Sequence, residues 1–122
     1  ITGNEDYVKH AFDHARAWFV DTDTRMNPDL KFSQAIKGVI KGRRSGIIDT
    51  IHLIEVAQGL HRMQDASVVD QKALAAVKKW FVKYTGWLTT HQNGLDEMNS
   101  QNNHAFCGVR QVGAFARFTD NH

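Results

Sequence analysis

The chain has 122 residues, enough for one domain or a piece of a larger one, and its 42% hydrophobic and 23% charged residues give an ordinary globular composition. A formal net charge of +2 is too small to hold nucleic acid by bulk electrostatics. The single cysteine, Cys107, excludes an internal disulfide, and no apolar run is long enough to cross a bilayer.

With one proline and long periodic segments, the chain is predicted to be helical throughout. The first helix spans about Asn4 to Val20, with Asn4 as cap and Tyr7, Val8, Ala11, Phe12, Ala15, Trp18 and Phe19 at helical spacing. Asp21 to Gly46 contains Pro28 and three glycines and reads as an irregular stretch. Loops of that length usually act in function or wrap a scaffold. A second helix is predicted over Ile47 to Met63. Its apolar surface is wide, Ile47, Ile48, Ile51 and Ile54 on one side and Leu53, Ala57 and Leu60 on another, so it should touch neighbours on two sides. The third, about Asp70 to Thr89, carries the cleanest stripe: Ala73, Leu74, Val77, Trp80, Phe81, Tyr84, Trp87 and Leu88, with Asp70 as cap. His91 to Asn103 reads as a polar loop with Asn93-Gly94 as a turn. The last helix begins near His104, with Ala105, Val109, Val112, Gly113 and Ala116 on one face. No strand pattern competes. The expected fold class is all-α, helix on helix in antiparallel hairpins.

The chemistry-bearing candidate is Asn102-Asn103-His104, two amides and an imidazole where a loop opens onto a helix. An imidazole takes up a proton near neutral pH, and an amide hydrogen-bonds a carboxylate or developing enolate without adding charge. Taken by spacing alone, the same residues also describe a capped helix with a surface histidine.

The context narrows that choice. Thr24-Arg25-Met26-Asn27-Pro28, Gly42-Arg43, Gly46-Ile47-Ile48-Asp49-Thr50, Tyr84-Thr85-Gly86-Trp87-Leu88, Asn93-Gly94-Leu95-Asp96-Glu97, Asn102-Asn103-His104 and Gln111 follow one another over most of the chain. In that order they resemble the alginate lyase family of polysaccharide lyases. The resemblance implies an incomplete α/α toroid of helical hairpins around a cleft, and β-elimination of an acidic uronate polymer (alginate, polymannuronate or a related glucuronan). Asn103 would then neutralise the substrate carboxylate, His104 would act as base, and no metal or cofactor would be needed in principle. Family members pair the histidine with a tyrosine much further along. This chain ends 18 residues after His104 and has only Tyr7 and Tyr84, and it lacks both an initiator Met and a visible signal peptide. The expectation is therefore a single segment, 1–122, of a larger catalytic domain. The substrate class implies an extracellular protein whose partner is an acidic polysaccharide, with no nucleic acid and no membrane. The alternative is a non-catalytic carbohydrate-binding remnant of the same fold.

Other residues take roles at lower weight. The basic, glycine-rich stretch Lys37 to Ser45 suits a cleft wall or a solvated loop; Arg43 and Arg44 are its candidates for binding uronate carboxylates, with Gln34 and Arg25 as further cleft residues. The resemblance adds Gln111 to the substrate-binding set. Trp87 can stack on a sugar ring or join the core, and its spacing with Trp80, Phe81 and Tyr84 favours the core. Asp49 can cap the second helix or orient Arg43, and Glu97 can brace the catalytic loop. His10 and His14 are one turn apart, a metal-compatible spacing without a third ligand. Cys107, one turn past His104, is better read as a buried thiol than as a nucleophile.

Overall fold

The computed structural model describes residues 2–120. It has five α-helices: α1 (Glu5–Phe19), α2 (Leu53–Met63), α3 (Gln71–Thr90), α4 (Gln92–Met98) and α5 (Asn103–Thr119), with a 3₁₀ helix at Arg44–Thr50 ahead of α2. No strand forms among the described residues. A single antiparallel bridge, Ile36 to Ile40, closes a turn in the long loop. The fold is all-α, as expected.

Two caps behave as the sequence implies. The Asn4 side-chain oxygen accepts the Asp6 N–H at 2.9 Å, and the Asp70 carboxylate accepts the N–H groups of Lys72 and Ala73. Each fixes a helix start within a residue of the expected place. The α1 and α3 stripes then meet, with the Phe19 ring against Trp80 and Phe81. α5 lies at the centre and packs on α2, α3, α4 and the 3₁₀ helix. Phe81 is fully buried where these elements converge, its ring centroid 5.0–5.3 Å from those of Trp80, Phe115 and Phe118.

Three elements differ from expectation, each for a physical reason. The second helix is broken, its first part being 3₁₀. In a continuous α-helix the Ile47 carbonyl would accept from Ile51; instead it accepts from the Thr50 hydroxyl and the Gln111 amide, and Ile51 N–H turns to Ile48. The β-branched run around it weakens the α alternative. Asn93-Gly94 is not a turn but the start of α4. His91 caps that helix, its Nδ1 accepting the Asn93 N–H at 3.2 Å. Gly94 is needed for close approach: a Cβ there would lie 2.0 Å from the Leu88 carbonyl oxygen. On α5 the buried face is Cys107, Gly108, Gln111, Phe115 and Phe118, whereas Val109 is 58% exposed. Both stripes have helical spacing, but two phenyl rings bury far more apolar area than alanines and a glycine.

The long loop is tied down rather than free. Trp80 donates its indole N–H to the Met26 carbonyl at 2.7 Å, Thr24 donates to Ala17 O, and the Ser33 hydroxyl bonds Leu30 O and Arg43 O. Among the described residues no helix is long and apolar enough to cross a membrane.

Gly94→Ala tests the docking of α4. The clash is with backbone, which cannot rotate away, so we expect a loss of about 3 kcal/mol, the upper end for overpacking. Urea denaturation of the two proteins measures it, and a difference below about 1 kcal/mol would mean α4 can shift freely.

Candidate active site

The loop from α4 to α5 separates the two neighbouring amides by role. Asn102 is the cap of α5, its oxygen accepting the His104 N–H at 3.0 Å. Asn103 is the first residue of the helix. It is exposed, and its side chain makes no hydrogen bond among the described residues. His104 follows with its ring turned back toward α4. Nδ1 lies 2.5 Å from Oε1 of Glu97, whose side chain is only 2% exposed, while the imidazole keeps 26% of its surface open.

A carboxylate so deeply buried requires a donor, and His104 supplies it. An ionised carboxylate only accepts, so the hydrogen is assigned to Nδ1 and the lone pair falls on Nε2. Nε2 has no protein partner among the described residues. The arrangement therefore presents one basic nitrogen and, one residue before it, one unengaged amide.

Arg44 approaches the same short helix. Its Nη1 donates to the carbonyl of Asp96 at 2.7 Å, so Arg44 and His104 are anchored to consecutive residues of α4. Arg43 is exposed, and its side chain makes no hydrogen bond or ion pair among the described residues. Arg25 lines a separate hollow with Met26, Pro28, Lys79 and Lys83. Gln34, in left-handed backbone at φ 52°, has both ends of its amide engaged: Nε2 donates to Asp49 Oδ2 at 2.9 Å, and Oε1 accepts from Ser45. Asp49 thus neither caps α2 nor pairs with Arg43, correcting that expectation. It ties the loop to the 3₁₀ helix.

Two further candidates lie among core groups. Gln111 is fully buried, with Oε1 accepting from Thr50 at 2.8 Å and Nε2 donating to Ile47 O, so both ends of its amide are engaged inside the protein. Trp87 is half-buried and packs against the core, stacked on His91 at 4.9 Å and 22° and roughly parallel to Tyr84. Cys107 is a buried free thiol, as expected. The Nε2 atoms of His10 and His14 lie 3.2 Å apart on the exposed face of α1, and no group of three metal-ligating side chains occurs among the described residues.

Tyr84 belongs to the core. It is fully buried, its hydroxyl is 2.8 Å from that of Thr50, and burial pushes its phenol well above the usual range, with the Thr50 contact opposing this in part. Since the folded value is raised, the neutral phenol stabilises the fold below the unfolded value of about 10, and this is lost as pH rises beyond it. We expect urea midpoints to fall between pH 9 and pH 11 more steeply in the wild type than in Tyr84→Phe. Parallel curves would mean that Tyr84 ionises freely.

The specific pairing of Glu97 with His104 is the structural detail of this loop that periodicity does not reveal. Its signal in the sequence was an acidic residue closing Asn93-Gly94-Leu95-Asp96-Glu97, seven positions before the histidine. A search of curated proteins found no match. The sequence model of the alginate lyase family matches residues 1–122. The crystal structure of an alginate lyase from Bacteroides ovatus superimposes with a TM-score of 0.90 at 32% identity, over 98% of this chain and 32% of its own length. The chain thus spans about a third of that protein. A match along the whole sequence and a shared backbone arrangement at that identity lead to one conclusion: the chain belongs to the alginate lyase family.

Proposed function

We propose that this chain carries the proton-abstracting centre of a polysaccharide lyase that cleaves an acidic uronate polymer by β-elimination. The observation that carries the reading is the imidazole of His104, held from behind by the buried Glu97 carboxylate beside the unengaged amide of Asn103. Membership of the alginate lyase family supports it.

The chemistry follows from the difficulty of the reaction. The proton on C5 of a uronate is weakly acidic because the adjacent carboxylate is already negative. A hydrogen bond from Asn103 to that carboxylate offsets part of the charge that accumulates there. His104 Nε2 takes the C5 proton. The electron pair forms the C4–C5 double bond, the C4–O bond breaks, and the departing glycosidic oxygen takes up a proton. Arg43 and Arg44 are exposed cations suited to carboxylates of neighbouring sugars, with Arg44 fixed at α4 by one of its N–H groups.

In architecture, the chain is one segment of a larger α/α toroid. Support comes from its match to nearly all of its own length but only 32% of the Bacteroides ovatus protein. The secreted location follows from the substrate, since such polymers lie outside the cell.

The test is to incubate the protein, both as this segment and at full length, with alginate, polymannuronate and glucuronan and follow the ultraviolet absorbance of the conjugated C=C–carboxylate. A rise on any of them supports the lyase. Retention on a polymer-containing gel without a rise would replace it with a binding remnant. Neither signal would remove both carbohydrate readings.

A further inference from the structure

We infer that Glu97 is the positioning residue of His104, locking the imidazole as its Nδ1–H tautomer so that Nε2 is the one basic nitrogen offered to substrate. The inference rests on the reading of His104 as the base and adds a residue to it.

Three observations and one general property of imidazole converge on this role. The Glu97 carboxylate is 2% exposed and 2.5 Å from Nδ1, so water does not compete for the contact. An imidazole free in water prefers to carry its hydrogen on Nε2, where it would be useless as a base at the exposed edge. An acceptor fixed at Nδ1 reverses that preference. The backbone that carries the carboxylate is itself anchored. α4 is capped by His91 at one end, pressed against the Leu88 carbonyl at Gly94, and closed at the other end by the Ser100 hydroxyl donating to Glu97 O at 2.7 Å. Finally, His104 is held a second time through its backbone, by Asn102. Ring and main chain are thus both oriented before substrate arrives.

The pair also gains strength as the reaction proceeds. When Nε2 takes the C5 proton the ring becomes an imidazolium, and the buried carboxylate at its other nitrogen then faces a full positive charge. That attraction is larger in the transition state than in the ground state, so it accelerates proton removal rather than only tightening binding. A purely structural contact would instead affect folding and leave the turnover of correctly folded protein unchanged.

The experiment has a spectroscopic and a kinetic arm. Protein labelled with ¹⁵N-histidine is examined by ring nitrogen–hydrogen correlation, with His104 identified by its loss in His104→Asn. The expected wild-type pattern is a protonated Nδ1 and an unprotonated Nε2, giving way in Glu97→Ala, which removes the acceptor that a glutamine would keep, to a mixture or to the opposite tautomer. Wild-type His104 already in the Nε2–H form overturns the inference, as does a tautomer indifferent to Glu97→Ala. Because this arm uses no substrate, it is independent of whether the protein cleaves a polymer; absence of cleavage by the wild type sinks the lyase reading and leaves the pairing standing. On the cleaved polymer, Glu97→Gln should lower kcat about 100-fold with KM changed less than about threefold. An unchanged kcat, or a loss confined to KM, overturns the positioning role.

Discussion

His104→Gln is expected to lower polymer cleavage by about 1000-fold, within the range that positioned general bases contribute. The glutamine side chain can still donate an N–H to Glu97, so the buried carboxylate keeps a partner while the basic nitrogen is lost. His104→Ala should be equally inactive and also less stable by about 3 kcal/mol, because it strands a carboxylate that is only 2% exposed. Initial rates from the ultraviolet assay and urea melts of both variants separate the two effects. Polymer retention should change little in either, since Arg43, Arg44 and Asn103 are untouched. A His104→Gln protein that kept more than about a tenth of the wild-type rate would rule out His104 as the base.

Phe81→Ala should produce the largest loss of stability, about 3–5 kcal/mol. The side chain is fully buried and its ring meets Phe19 from α1, Trp80 from its own helix, and Phe115 and Phe118 from α5. Neighbours from three helices cannot all move inward at once, so most of the void would persist. Against a typical total of about 5–15 kcal/mol, such a loss brings the fold close to its limit. Phe32, 72% exposed in the loop, is the control, and its alanine variant should lie within about 0.5 kcal/mol of wild type. Equal losses at the two positions would show that the aromatic cluster does not hold these helices together.

What the sequence disclosed depended on whether a residue's role was local. Asn4 and Asp70 cap their helices through contacts two or three positions away, and the apolar stripes of α1 and α3 repeat within single segments, so both helices are readable from spacing. Gln111 was not, because what buries it lies 61 and 64 residues away in Thr50 and Ile47. The Asn93-Gly94 pair has the composition of a turn, yet its glycine answers to the Leu88 carbonyl, a contact with no local signature. On α5 two stripes compete at the same period, and only the neighbours decide that Phe115 and Phe118 face inward. The site divides likewise. Asn102-Asn103-His104 is contiguous and stood out at once, but that Asn102 is committed to the cap and that Glu97 grips Nδ1 are facts of geometry.

The polar trio of Thr50, Tyr84 and Gln111, with the part-buried Thr50 hydroxyl bonded to each of the other two, bears on how the chain reaches this structure. Its members are 34 and 61 residues from Thr50, so no single hairpin can assemble it. Closing such contacts costs loop entropy that only simultaneous docking of the 3₁₀ helix, α3 and α5 repays. A half-formed trio leaves a hydroxyl or an amide in an apolar interior without a partner, which is less favourable than leaving all three in water. The network therefore penalises partly docked intermediates, and couples the segment that carries Arg44 and the helix that carries His104 into one cooperative folding step.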